Sequence, residues 1–193
     1  MESLSVVLDA CVLVPAVSTD TLLRLAERGL YRPHWSELIL AETRWALLEI
    51  HDGMEDEQID RRFNHMNLAF EDALVTDWES LEGVVVLPDP DDRHIVAAAM
   101  KCGADAIVTA NVDDFPYDEL NRFGIGVQSL DDFLLDLLDL APEMVVAAIS
   151  EQARDTRRPH LTSDEVLNGL RRVGAPDFAV LVEQLLSPKD HNS

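Results

Sequence analysis

Cysteine is scarce in this chain. Cys11 and Cys102 are the only two, they form no CxxC pair, and each falls in a stretch that reads as buried. That pattern points to neither a disulfide framework nor a thiolate zinc site. No apolar run approaches the roughly 20 residues needed to cross a bilayer. The N-terminal MESLSVVLDACVLV has an acidic residue and no basic region before its apolar run, so it does not read as a secretory signal and the expected location is the cytoplasm. No GxGxxG turn follows a strand, which removes a dinucleotide-binding reading. Positive charge is also short: 15 Lys and Arg against 37 Asp and Glu leave a net charge of −22. So acidic a chain repels phosphate at long range, and a nucleic-acid substrate would need a local basic surface or a bound cation. The basic residues cluster near the C-terminus, where Arg154, Arg157, Arg158, Arg171 and Arg172 fall in one short segment.

What is present is an ordinary globular composition, 47% hydrophobic and 27% charged, in 193 residues. That length suits one sizeable core with a smaller appended unit. Leu4 to Leu8 is a short β-branched apolar run, hence a buried strand, and it ends at Asp9. At the carboxyl end of a strand an aspartate either caps a turn or faces a ligand, since that edge is where open α/β sheets bind. Helical spacing follows over Thr19 to Arg28, with Gly29 as its stop. Ser36 caps the next helix, whose apolar stripe reads Leu38, Ala41, Trp45 and Leu48, with Glu42 at its margin. Asp56 to Trp78 reads as one long or two short packing helices through Ile59, Phe63, Met66, Phe70 and Leu74. Val84 to Leu87 is expected to form a second buried strand.

The stretch from Asp89 to Phe115, DPDDRHIVAAAMKCGADAIVTANVDDF, is the most informative. It places a carboxylate cluster before a helix that is apolar on nearly every side. Asp91 and Asp92 sit where one caps that helix and the other faces a site. Gly103 ends the helix, Ala106 to Thr109 is the next strand, and Asn111, Asp113 and Asp114 follow at its carboxyl end. Ile125 to Val127 supplies a further strand. Strands alternating with helices indicate an α/β fold with a largely parallel sheet. From Ser129 onward only helical patterns appear, with Thr162 and Glu165 spaced as a capping box.

Taken together, Asp9, Glu42, Asp92 and Asp114 can converge on one edge of that sheet. Clustered carboxylates repel unless a cation or shared protons intervene. Oxygen ligands without cysteine or a histidine pair favour Mg²⁺ or Mn²⁺ over zinc. Such an ion would let an anionic cleft accept a phosphodiester and activate a water against it.

LDACVLV after the first strand, the glutamate in LAETRWAL, the DDRHIVAAAM helix and the IVTANVDDF loop resemble a PIN domain, specifically the VapC-type toxins of bacterial toxin-antitoxin pairs. The resemblance covers about residues 4 to 130. It implies a PIN-like α/β/α sandwich over residues 1–130 and a helical extension over 131–193. It also implies an Mg²⁺-dependent endoribonuclease, with Mn²⁺ as an alternative ion, an antitoxin partner and a homodimer. The family's catalytic acids fall here on Asp9, Glu42, Asp92 and Asp114, with Asp9, Asp92 and Asp114 as metal ligands. Asp91, Asn111 and Asp113 are alternative ligands, and Thr109 is placed to orient a water or carboxylate.

The sequence departs from the family where Thr or Ser and then Asn usually follow the first aspartate; here Ala10 and Cys11 stand there. The extension is also longer than a minimal PIN toxin carries. Its arginines, Arg154, Arg157, Arg158, Arg171 and Arg172, either guide RNA toward the cleft or balance nearby acids. A haloacid-dehalogenase-type phosphatase is disfavoured because its second aspartate, two residues after the first, is replaced by Cys11. The remaining competitor is a PIN-like protein that binds RNA or a partner without cutting.

Overall fold

A computed structural model describes residues 3–156 and 160–187. Five strands form one sheet, β1 (Leu4–Leu8), β2 (Tyr31–Ser36), β3 (Leu74–Val75), β4 (Ala106–Val108) and β5 (Gly126–Gln128). Their order is β3-β2-β1-β4-β5 and every pairing is parallel. The chain leaves β1 toward β2 and β3, then returns to build β4 and β5 on the other side. The order therefore reverses between β1 and β4, and a crevice opens there at the carboxyl ends of the strands. Val6, Val7 and Leu8 have no exposed surface, as expected of a central parallel strand covered on both faces.

Helices flank the sheet. After β1 come α1 (Ala10–Leu13) and α2 (Ala16–Glu27); after β2 come α3 (Glu37–Ile50) and α4 (Asp56–Ala69). The crossover to β4 contains α5 (Arg93–Cys102), and α6 (Tyr117–Asn121) precedes β5. As expected, α5 is buried on nearly all sides: His94 through Ala99 are enclosed between the main core and a small cluster of Val75 and Trp78. Gly103 closes it in the left-handed region at φ 65°, where a side chain would be strained.

Three readings of the pattern need correction. Val84–Leu87 is not a strand: a 3-10 turn runs over Glu79–Val84, and Val84 and Val86 stay exposed while Val85 and Leu87 reach the core. A short β-branched apolar run imitated a buried strand. The missing partner is β2, whose Pro33 disguises it. Because β3 pairs only with Trp35 and Ser36, β2 is an edge strand at Pro33, where a residue without an N–H is tolerated. Leu74 lies in β3 and not in a helix. On α3 the buried face is Ile39, Leu40, Thr43 and Leu47, while Trp45 is 63% exposed. Thr43 passes as a core residue because its hydroxyl donates to the Ile39 carbonyl at 2.8 Å.

The C-terminal part is helical, with α7 (Leu130–Leu140), α8 (Pro142–Asp155), α9 (Ser163–Arg172) and α10 (Pro176–Leu186). Thr162 and Glu165 form the expected capping box. This unit docks on α2. Gln152, almost fully buried, accepts from the Thr21 hydroxyl at 2.7 Å and donates to the Val17 carbonyl at 3.1 Å. Arg24 bridges Asp20 and Asp155, and Arg28 pairs with Glu151. Gly169 faces Val17 so closely that a Cβ there would lie 3.1 Å from a Val17 methyl, which keeps α9 against α2.

Candidate active site

Leu8 is level with Val108, and the Asp9 N–H donates to the Val108 carbonyl at 3.1 Å, so Asp9 and Thr109 emerge side by side at the crevice. Asp9 is only 6% exposed, and its carboxylate is fully held. Oδ1 accepts the Ala10 N–H at 2.6 Å; Oδ2 accepts the Thr109 hydroxyl at 2.7 Å and the Cys11 thiol at 3.0 Å. Cys11 thus supplies a hydrogen bond from the position where the family usually has asparagine. Burial, reinforced by the Asp9 charge, pushes the thiol up to about 12, so it stays protonated and remains a donor. Its sulfur also accepts the Ala110 N–H at 3.0 Å, and Thr109 Oγ1 accepts the Asn111 N–H at 3.0 Å.

The turn behind Asp9 is fixed by residues that no sequence motif singled out. The carbonyls at the end of α1 have no partner within so short a helix. Ser18 donates to Val12 and Thr19 to Leu13, at 2.8 and 2.7 Å. The Arg62 guanidinium also donates to the Leu13 carbonyl and, at 2.7 Å, to Thr19 Oγ1.

Opposite Asp9, a 3-10 turn at Pro90–Asp92 leads into α5. Its cap is Asp89, whose side chain accepts the Asp91 N–H at 2.9 Å, so capping falls to neither member of the Asp91–Asp92 pair. Asp92 makes no side-chain cap bond and is half-buried, while Asp91 is exposed. A second 3-10 turn, Val112–Asp114, follows β4; there Asp114 is half-buried, and Asn111 and Asp113 are exposed. The Asp92 carboxyl is pushed up to about 6, first by burial and then by the charges of Asp89, Asp9 and Asp114, with His94 pulling the other way. Asp9, Asp92 and Asp114 therefore share one electrostatic neighbourhood despite their distance in sequence.

Glu42 enters from α3 and is half-buried. Its Oε1 lies 3.0 Å from Nε2 of His94, a residue the motif reading passed over. The only signal for it was a histidine within an otherwise apolar helix, two residues beyond Asp92. The contact is off the line of the ring N–H, so neither imidazole nitrogen has a hydrogen bond although both are buried. The ring packs against Trp78, centroids 5.9 Å apart.

These hard oxygen donors and their mutual repulsion fit a divalent cation in chemistry and charge. Among the described residues, however, no three His, Cys, Asp or Glu side chains stand close enough together to form a coordination shell in these positions. Elsewhere, Arg171 pairs with Glu183 and donates to Asn168, Arg172 donates to the Asn168 carbonyl, and Arg154 lies 3.8 Å from Asp155. Arg157 and Arg158 fall outside the described residues. Among the described residues no helix is long and apolar enough to cross a membrane.

Comparison with known proteins agrees with this fold. A family model described as PIN domain matches residues 5–113, and one described as VapC50 C-terminal domain matches residues 130–184. The chain is 38% identical over 94 residues to a Mycobacterium tuberculosis (strain ATCC 25618 / H37Rv) protein named "Putative ribonuclease VapC50", covering 49% of this chain and 55% of that protein. It thus spans about half the length of the curated relative it matches. No solved structure matches. The aligned PIN model spans more than half of the chain, which belongs to the PIN-domain family and continues into a region similar to the VapC50 C-terminal domain.

Proposed function

We propose that the protein is an Mg²⁺-dependent endoribonuclease and the toxin component of a type II toxin-antitoxin system. Mn²⁺ is the alternative ion. The observation that carries this reading is the raised Asp92 carboxyl, which registers Asp9 and Asp114 as neighbours at the point where the strand order reverses. When bound, a divalent cation lowers the pKa of an adjacent water and neutralises charge building on a phosphate.

The side chains divide the remaining work. Asp9, pinned by Ala10, Cys11 and Thr109, presents a fixed carboxylate to the ion. Asp92 and Asp114 complete the ligand set, and Asp91, Asn111 and Asp113 line its outer edge. Glu42 accepts the proton of the water that attacks the phosphodiester. Thr109 keeps Asp9 in its rotamer. The nuclease unit extends over residues 1–130 and the helical unit over 131–193. Arg154, Arg157, Arg158, Arg171 and Arg172 guide RNA toward the cleft. The protein works in the cytoplasm as a homodimer held in check by a cognate antitoxin.

Replacing Asp9 or Asp92 with asparagine keeps shape and removes charge. Either change is expected to lower Mg²⁺-dependent RNA cleavage by about 100-fold or more while circular dichroism stays that of the folded protein. Cleavage that persists in EDTA, or in these variants, defeats the proposal. A non-cutting RNA-binding protein would instead show RNA retention with no cleavage in the wild type.

A further inference from the structure

A buried imidazole with no hydrogen bond at either nitrogen is costly, because groups taken out of water recover nothing in exchange. His94 is such a residue: it is 2% exposed, and both ring nitrogens are buried and unpartnered. Nothing in the packing of α5 requires a polar group there, because its neighbours Ile95, Val96, Ala97, Ala98 and Ala99 are apolar and enclosed. One polar atom lies in reach, Glu42 Oε1 at 3.0 Å from Nε2. Glu42 retains 32% of its side-chain exposure, so its carboxylate is the partner with room to reorient toward the N–H. His94 has no such freedom, since Trp78 lies against its ring and the main core encloses the helix.

The geometry points to His94 as a positioning residue that donates from Nε2 to the Glu42 carboxylate and fixes where that carboxylate faces the acidic crevice. The fixed partner is the imidazole and the adjustable one is the glutamate. The arrangement couples α3 to the start of α5, and so ties the orientation of Glu42 to the turn that carries Asp92. This inference rests on the nuclease reading for its kinetic consequence, but the contact itself does not.

Two measurements test it. In long-range ¹H–¹⁵N spectra of the metal-free protein, His94 should carry a proton on Nε2, and Glu42→Gln should move its ring signals. Ring signals unmoved by Glu42→Gln overturn the inference whatever the enzyme does. In RNA cleavage, His94→Ala should lower kcat by about 10–100-fold with KM held within about 3-fold. His94→Gln should recover part of that loss, and His94→Ala combined with Glu42→Ala should be no slower than Glu42→Ala alone. A double variant clearly slower than Glu42→Ala would show that His94 acts independently of Glu42 and overturn the proposal. Should His94→Ala fail to fold, His94→Gln and His94→Asn carry the same comparison. A wild type that cuts no RNA, with ring signals that still answer to Glu42, would defeat the nuclease reading and leave the contact standing.

Discussion

Two polar regions of this molecule are built on opposite principles. At the seam between α2 and α8, Gln152 has a partner for its carbonyl and for its amide, and the arginines around it meet carboxylates. At the edge between β1 and β4, charges of one sign are brought together: Asp92 is crowded by Asp89, Asp9 and Asp114, and His94 is left without a hydrogen bond. The seam minimises its own energy, whereas the edge does so only when something else arrives. Satisfied burial marks a structural joint, and unsatisfied burial marks the place where binding energy is to be gained.

The contrast is sharpest for Asp92. The Asp92→Asn variant, proposed to lose most of the cleavage, should leave the metal-free protein at least as stable as the wild type, because it removes repulsion. A large fall in its melting temperature would mean that Asp92 is structural. At the seam the reverse should hold. Gln152→Ala removes the bonds that Gln152 makes with the Thr21 hydroxyl and the Val17 carbonyl, which lie 2.9 Å apart and keep each other as partners, and should cost about 0.5–1.5 kcal/mol of stability, with cleavage per folded molecule unchanged. Chemical denaturation checks the first quantity and single-turnover kinetics the second. Lost activity at full stability would break the distinction.

A smaller effect is expected from pH. The Asp92 carboxyl sits at about 6 in the folded chain against 3.8 for an ordinary aspartate, so below 4 it is protonated in both states and its repulsion is silent. As pH rises from about 4 to about 6 the unfolded chain releases that proton more readily than the folded one, and stability falls. In metal-free protein the melting temperature should therefore decline over that window, and the decline should be shallower in Asp92→Asn. Identical profiles would remove Asp92 as its source.

How far the sequence foretold this depends on whether a feature is local. β1, α5 and β4 were legible because each is a continuous apolar run with a stop signal, and the acids at their ends follow from the strand edge. β2 was hidden because Pro33 argues against a strand unless its neighbour is known to be only two residues long. The choice of Asp92 over Asp91 rested on the family resemblance, yet the capping side chain came from Asp89, outside the pair. The Cys11 thiol in place of an asparagine was visible as a departure, but its bond to Asp9 depends on how β1 and β4 align. His94 became visible only through a through-space contact with a helix some fifty residues earlier.

Thermal unfolding with and without Mg²⁺ addresses the central claim, that these carboxylates are gathered to hold a divalent cation. At about ten times the dissociation constant, the wild type should melt roughly 3–6 °C higher with Mg²⁺ than without it. Asp92→Asn should lose most of that rise. No rise in the wild type, or an equal rise in both proteins, would contradict the account.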